Sequence, residues 1–294
     1  MSTPLSTAVL ALQQHELVVF PTETVYGIGA RADSAPAIAK LVAAKQRPDT
    51  QPITLHLGPS LSPHPYAEWS QTAERLSARY WPGALTLILP KKPKVTPEAA
   101  GYGDTIGLRV PDHPVAIALL AGCGVAVAAT SANRHGDLSP TAPAHLSATI
   151  RNAAKVVLEA GECALGIEST VLSLVGTPTL FRLGSIDHQE LEDLVGAHLP
   201  LPSNAKPIRQ ASTIHLITGP TPYSLPVETM IVGGPKPTSH PHWHPMPPTP
   251  RAYGATLFAT LHTLRDVAHV AIVLPPDTPP WAAIRARLLR LGAA

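Results

Sequence analysis

The sequence predicts an α/β protein with a twisted mixed β-sheet flanked by helices, followed by a small C-terminal α/β domain. Two patterns indicate the sheet. Helical and strand periodicities alternate along the chain, and several strands follow one another too closely for the crossovers of a purely parallel sheet. Prolines then concentrate in residues 200–250. We expect a main domain in residues 1–199, a proline-rich linker with loops in 200–250, and the remainder of the small domain in 251–294.

Composition argues against several classes of protein. Charged residues make up 14% of the chain and the net charge is +2, so no strong field is directed at nucleic acid or membrane. Cys123 and Cys163 lie in apolar or glycine-rich surroundings without metal-ligand spacing, which predicts two buried thiols in a reducing compartment. No apolar run approaches the ~20 residues that a bilayer span needs, and no leader pattern is present. We expect a soluble, cytoplasmic protein.

The first elements surround a polar segment. Helical spacing predicts a helix over residues 4–14, and the apolar run 16–20 predicts a strand that ends at Pro21. Residues 22–26 then carry several side-chain oxygens, and Gly27 and Gly29 allow a sharp turn or a close approach of the backbone. The segment is either a binding loop or an ordinary strand-to-helix turn.

A second helix places two cations at its end. Ser34 is suited to cap it, and Pro48 stops it. The proline also drives Arg47 toward an extended conformation, so Lys45 and Arg47 are expected at the helix terminus. The pair either serves a ligand or merely favours the helix macrodipole.

Two alternating strands present polar side chains on one face. In residues 52–57 the apolar positions face one side and His56 faces the other. In residues 105–110 the polar face carries a hydroxyl, the gap at Gly107 and the guanidinium of Arg109. Such a planar fork can hold a carboxylate or a phosphate through two parallel hydrogen bonds. The alternative is an exposed arginine in a surface ion pair.

The remaining periodicity supplies helices and strands in mixed order. Small polar residues at 130–133 follow a buried strand, where open α/β sheets tend to bind ligands. Beyond those already given, we predict helices at 67–80, 114–121, 142–150, 255–264 and 280–291, and strands at 85–89, 125–129, 155–158, 169–174 and 270–274.

Other motifs give weaker indications. Residues 27–32 fit the dinucleotide pattern G-x-G-x-x-A, but the first glycine lies too far beyond the strand and the helix begins only near Ser34. No P-loop pattern is present. His240, His242 and His244 could bind a metal, although a proline-rich segment is a poor preformed cage, and we predict no metal site formed by protein ligands. No local pattern supports covalent catalysis.

Eight sequence blocks occur in the order typical of one family. The first, P-T-E-T-V-Y-G-I-G at residues 21–29, resembles the P-T-E-T-V-Y-G-L-G signature of the YrdC-like family, the threonylcarbamoyl-AMP synthases. The resemblance covers about residues 8–186, and the tail resembles the small C-terminal domain of the family's longer members. The other blocks are at residues 45–48, 52–56, 81–86, 107–113, 131–133, 139–141 and 166–171.

The resemblance implies synthesis of threonylcarbamoyl-AMP from L-threonine, bicarbonate and ATP with Mg²⁺, for modification of tRNA by separate transfer proteins. It assigns threonine to Thr24, His56, Arg109, Ser131 and Ser169. It assigns ATP to Arg47, Gln51, Thr105, Asn133, Thr141 and Arg182. We expect Lys45 and Arg47 to neutralise the triphosphate as pyrophosphate leaves.

The chain departs from the family at three places. Gln51 stands where asparagine is usual, Ala84 replaces a frequent proline, and residues 207–215 lack the family's S-P-G-M-K-Y-R-H-Y-A-P linker. Arg209 and His215 still offer a cation and an imidazole there, which predicts a looser lid. A non-catalytic module binding double-stranded RNA remains an alternative, with at most weak RNA contact at this charge. The acylphosphatase and zinc-finger segments of the hydrogenase-maturation relatives are absent from this sequence.

Overall fold

A computed structural model describes residues 3–202, 207–208, 212–218, 225–226, 228–234, 236 and 241–291. It shows a mixed α/β protein with one large and one small sheet, which confirms the predicted fold class. The helices are α1 Pro4–Gln13, α2 Ala35–Lys45, α3 Gln71–Tyr80, α4 Pro114–Cys123, α5 Ala148–Ala153, α6 His188–Val195, α7 Pro250–Thr263 and α8 Ala282–Leu291. The strands of the large sheet are β1 Val18–Phe20, β2 Gly27–Arg31, β3 Thr54–His56, β4 Leu85–Pro90, β5 Thr105–Arg109, β6 Val127–Ser131, β7 Val156–Val157, β8 Thr170–Ser173 and β9 Thr179–Arg182.

The large sheet has nine strands in the order β7-β1-β2-β6-β3-β5-β4-β8-β9. Three neighbouring pairs are parallel, β1 with β7, β3 with β5 and β4 with β8, and the other five pairs are antiparallel. The sheet is therefore mixed, as the short connections predicted. Its alternating apolar residues pack into the main core, with Leu55 and Leu108 fully buried beneath the centre.

The segment that contains Gly27 and Gly29 is a strand, which corrects the expectation of a turn there. Strand β2 pairs with β1 on one side and with β6 on the other. A Cβ at Gly29 would lie 2.7 Å from the Cγ1 of Val127. The glycine is required because two neighbouring strands pack closely, a tertiary contact that local sequence does not reveal.

The small sheet includes a region that was expected to be loops. Strands β10 Thr213–Ile217, β11 Met230–Val232 and β12 Trp243–His244 lie in it together with β13 His269–Val273, all parallel, in the order β10-β13-β11-β12. The prolines lie mostly between these short strands, so composition concealed them. The predicted division of the chain at residues 199 and 250 stays a proposal.

Several local expectations also change. Strand β6 continues through Ser131, and the helix expected at 142–150 is a 3₁₀ turn, Pro143–His145, followed by α5. The sequence did not predict β9 or α6. Cys123 and Cys163 are buried free thiols, as expected. Among the described helices, none is long and apolar enough to cross a membrane.

Candidate active site

A cavity of about 430 Å³ lies on the polar face of the large sheet. This volume is within the range of small-molecule sites. Eleven of the twelve residues singled out from the sequence line it. They are Thr24, Lys45, Arg47, Gln51, His56, Thr105, Arg109, Ser131, Asn133, Ser169 and Arg182.

Strands β3 and β5 place His56 and Arg109 next to each other. The strands are parallel, and His56 is in register with Arg109. Because side chains alternate along a strand, Leu55 and Leu108 enter the core while His56 and Arg109 face the cavity. The predicted alternation is confirmed here.

Arg109 is held in one orientation by an ion pair. Its Nη2 donates to Glu23 Oε1 at 2.6 Å and to the Thr24 hydroxyl at 2.9 Å, and its Nε donates to the Gly83 carbonyl at 3.2 Å. Glu23 also accepts the backbone N–H of Asp112 at 3.0 Å. Arg109 is only 5% exposed, so the pair is buried, unlike the surface pair that was the alternative. A cation with fixed geometry therefore forms part of the wall.

His56 is a neutral hydrogen-bonding group. Burial lowers its pKa to about 3, and the positive charge of Arg109 acts in the same direction. Its Nδ1 is buried and has no hydrogen-bond partner among the described residues. The imidazole can therefore bond a ligand without carrying a charge of its own.

Lys45 and Arg47 lie at the end of α2, as predicted. The Lys45 amine donates to the backbone carbonyls of Ser131 and Asn133, which ties α2 to the end of β6. Burial lowers the pKa of Lys45 to about 7, and the nearby Arg47 adds to the effect. The Arg47 Nη2 donates to the carbonyls of Gln51 and Pro52, both at 3.1 Å.

Three buried polar atoms on the cavity wall lack partners within the described part of the chain. They are Arg47 Nε, His56 Nδ1 and Asn133 Oδ1. The amide nitrogen of Asn133 is held by the carbonyls of Arg134 and Asp137, both at 2.8 Å, which aims its oxygen. Arg47 Nε is a donor, Asn133 Oδ1 is an acceptor, and His56 Nδ1 can act as either. A buried polar atom without a hydrogen bond lowers the stability of the fold, so these atoms indicate that a polar ligand bonds to them.

The opposite wall is formed by Ser169 and Arg182. Arg182 donates to the Ser169 carbonyl at 2.8 Å and to its hydroxyl at 3.1 Å, and that hydroxyl lies 3.0 Å from the hydroxyl of Thr86. Burial lowers the pKa of Arg182 to about 10, against the opposing attraction of Glu168. The guanidinium stays charged at neutral pH.

Thr141 is the one predicted site residue that does not line the cavity. It is 1% exposed, and its hydroxyl lies 3.2 Å from Nδ1 of His145. The 3₁₀ turn that follows brings His145 back over the threonine, so the side chain supports the turn. A direct contact of Thr141 with ATP is therefore not supported by this geometry.

Sequence reasoning missed several residues of the site. Glu23 and Glu168 lie inside blocks that were singled out, so their sequence signal was available. Pro207, Ile208 and Arg290 also line the cavity and come from beyond the main sheet. Pro207 and Ile208 begin the 207–215 segment that was expected to form a lid, whereas nothing in the local sequence indicates the position of Arg290.

Pro207 and Ile208, at the start of the 207–215 linker segment, line the cavity, whereas the linker residue His215 and the candidate metal residue His244 do not. His215 is in β10 of the small sheet, with its ring 5.9 Å from that of His269, and does not line the cavity. Arg209 and His240 are outside the described residues. In the part of the chain that the structure describes, no group of three His, Cys, Asp or Glu side chains could hold a metal. His244 lies 3.4 Å from the Thr260 hydroxyl.

The fold and cavity define an α/β protein with a polar cavity on one face of a mixed sheet, lined by several cationic side chains. The Sua5/YciO/YrdC family model, described as telomere recombination, matches residues 10–184. This chain belongs to that family.

Two curated relatives carry the name threonylcarbamoyl-AMP synthase. The Bacillus subtilis protein is 39% identical over 197 residues, covering 64% of this chain and 56% of that protein. The Pyrococcus abyssi protein is 37% identical over 187 residues, covering 63% and 55% respectively. The matches thus span little more than half the length of these relatives.

Solved structures extend the likeness to the small domain. The structure of P. abyssi Sua5 complexed with L-threonine has a TM-score of 0.87 and 25% identity, covering 98% of this chain and 94% of that one. A variant of P. abyssi Sua5 with two alanine substitutions has a TM-score of 0.88 and 25% identity, covering 98% and 92%. The two-part architecture is therefore shared over nearly the whole chain.

Proposed function

We propose that this protein is an L-threonylcarbamoyladenylate synthase, which converts L-threonine, bicarbonate and ATP into threonylcarbamoyl-AMP, pyrophosphate and water. The observation that carries the proposal is the charge of the cavity wall. Among the described residues, five cationic side chains line it, Lys45, Arg47, Arg109, Arg182 and Arg290, against the two carboxylates of Asp137 and Glu168. The names of the curated relatives and the threonine-bound P. abyssi structure agree with this reading.

Threonine is assigned to the wall around Arg109. Bonds to Glu23, Thr24 and the Gly83 carbonyl fix the guanidinium through Nη2 and Nε, so Nη1 is the donor proposed for the amino-acid carboxylate. Neutral His56 offers Nδ1 to a polar group of the substrate. The hydroxyls of Thr24, Ser131 and Ser169 complete this assignment.

ATP is assigned to Arg47, Gln51, Thr105, Asn133 and Arg182, all on the cavity wall. The carbamate of threonine is itself a nucleophile toward the α-phosphorus, and its attack releases pyrophosphate. The protein then has to align two anions and neutralise the leaving group. Lys45 and Arg47 are proposed for that neutralisation. Two of the three hydrogens on the Lys45 ammonium bond to backbone carbonyls, which leaves the third for the leaving pyrophosphate.

Mg²⁺ is proposed to arrive with the nucleotide. Magnesium usually keeps several waters and takes one or two carboxylates together with substrate phosphates. The described wall offers the carboxylate of Asp137, which also pairs with Arg134 at 3.1 Å, and the amide Oδ1 of Asn133. These oxygens fit a metal that is held mainly by the nucleotide. When bound, the metal would offset the negative charge that builds up on the triphosphate.

The wider setting is also a proposal. The product would pass to separate transfer proteins that modify tRNA, and we expect the enzyme to work in the cytoplasm. A module binding double-stranded RNA is the less favoured reading, because the net charge of +2 gives little phosphate attraction.

The decisive test is pyrophosphate release by the purified chain. Release is expected only when threonine and bicarbonate are both present, and serine should be a poorer substrate. Assays that omit each component in turn serve as controls. Equal turnover without an amino acid would contradict the proposal, and tight, salt-sensitive RNA binding without turnover would favour the binding module.

A further inference from the structure

The last described helix turns two arginines toward the main domain. Arg287 and Arg290 are three residues apart in α8, so they lie on one face of the helix. Arg287 donates to Glu168 Oε2 at 2.9 Å and to the Leu183 carbonyl at 2.7 Å. These bonds fix that face against the cavity domain. Arg290, about one turn further along, lines the cavity itself.

A short segment fixes the end of α8 in this position. The backbone N–H of Ile208 donates to the Arg290 carbonyl at 3.0 Å. Pro207 and Ile208 are themselves part of the cavity wall. The rim on this side is therefore formed by residues that follow the main sheet in sequence.

The charges around Arg290 favour a multiply charged anion. Arg290 is half-buried, and burial together with the positive charge of Arg287 lowers its pKa, while Glu168 opposes the fall. A guanidinium nevertheless stays protonated in proteins. Among the described residues of the cavity wall, five cationic side chains stand against the two carboxylates of Asp137 and Glu168.

We infer that Arg290 binds the phosphates of the nucleotide, so that the small domain completes the ATP site. This inference rests on the proposed function and adds a substrate-binding residue to it. A purely structural role is the alternative, since a cation in the last turn of a helix favours the macrodipole. Nucleotide affinity separates the two roles.

The test is direct calorimetric titration of the full chain with ATP. Arg290→Gln removes the charge and keeps a helix-forming side chain, and ATP affinity should fall on the order of tenfold or more. Arg290→Lys should recover part of the loss. Arg251→Gln is the matched control, because Arg251 is exposed, lies in the same domain and does not line the cavity. Its ATP affinity should stay within about twofold of wild type.

Threonine titrations complete the experiment. Threonine affinity of Arg290→Gln should change less than about twofold, because Arg109 is the assigned partner of the carboxylate. ATP affinity of Arg290→Gln within twofold of wild type, or a loss confined to threonine, would overturn the inference. If the wild-type chain itself binds no ATP, the proposed function fails first. If the wild type binds ATP and releases pyrophosphate while Arg290→Gln matches it, only the role of Arg290 is wrong.

Discussion

Two buried arginine–glutamate pairs connect distant parts of this chain, and they differ in which partner faces the cavity. In the pair Glu23–Arg109 the guanidinium lines the cavity and the carboxylate lies behind it. In the pair Glu168–Arg287 the carboxylate lines the cavity and the arginine, 2% exposed, lies behind it.

The difference indicates that the two pairs have different roles, one at the cavity and one in attaching α8 to the main sheet. Arg287 donates hydrogen bonds only to other groups of the described protein, namely Glu168 and the carbonyls of Leu183 and Ala283. Arg109 is held by Glu23 but still contributes to the cavity wall. One pair therefore presents a cation to the cavity, while the other attaches α8 to the main sheet.

The largest effect should come from breaking the docking pair. Arg287→Met leaves the charge of Glu168 buried without its partner, which should lower the free energy of unfolding by about 3–5 kcal/mol. Urea unfolding measures this loss. Glu168→Gln combined with Arg287→Met should recover part of it, since no charge is then left unpaired. A loss below about 1 kcal/mol in the single variant would show that Arg287 does not neutralise Glu168.

The same pair predicts a dependence on pH. Burial alone would raise the pKa of Glu168, but Arg287 and Arg182 lower it to about 2. A carboxyl whose folded pKa is depressed stabilises the fold above its unfolded value, and that stability is lost as pH falls toward the folded pKa. In the urea series of wild type, this loss should appear between about pH 4.5 and pH 2. It should be absent from the variant with both substitutions.

The binding pair should affect threonine more than stability. Arg109→Ala should weaken threonine binding by about 2–4 kcal/mol, because a bound carboxylate loses the charged Nη1 donor of Arg109. Arg109→Ala alone leaves the Glu23 carboxylate buried and unpaired, which destabilises the fold. In the double variant with Glu23→Gln this charge is absent, so a change in threonine affinity reports on ligand binding. Arg79→Ala is the control, since Arg79 pairs with Glu190 at 2.6 Å on the exposed surface. Unchanged threonine affinity in a folded Arg109 variant would refute the assignment.

Lys45 is a third buried cation, but it bonds to backbone carbonyls where Arg109 and Arg287 bond to carboxylates. We expect it to have the smallest effect of the three. Its pKa of about 7 means that the free enzyme loses this charge as pH rises above 7. Bound triphosphate favours the charged amine and raises that pKa, so ATP affinity should be full below pH 7 and fall by at most about tenfold per pH unit above it. Calorimetry in buffers of different ionisation enthalpy should detect proton uptake on binding at pH 8. Lys45→Arg should show no such uptake; unchanged uptake in that variant would assign it to another group.

Local patterns predicted those parts of the site that depend on local geometry. Strand alternation placed His56 and Arg109 on one face, and the proline after Arg47 placed the two cations at a helix end. The partner of Arg109 could not be derived in this way, because Glu23 is 86 residues away. The role of β2 likewise depends on contact with Val127, which no local pattern records.

The surroundings of Thr141 and Arg290 also depend on features that local patterns do not record. Thr141 belongs to a recognised block, but a 3₁₀ turn directs its hydroxyl to His145. Arg290 belongs to a helix that was predicted, yet its place on the cavity wall follows from how two domains pack. Periodicity identifies the buried face of a helix without identifying the surface that it packs against.

The distance in sequence between Glu168 and Arg287 has a consequence for synthesis on the ribosome. The partners are 119 residues apart. At the usual rate of about 5–20 residues per second, the arginine is added roughly 6–24 s after the glutamate. Through that interval the emerging sheet must carry an acidic group whose guanidinium does not yet exist, either hydrated or protonated. The nascent chain therefore passes through a stage in which the cavity wall around Glu168 is still open to water.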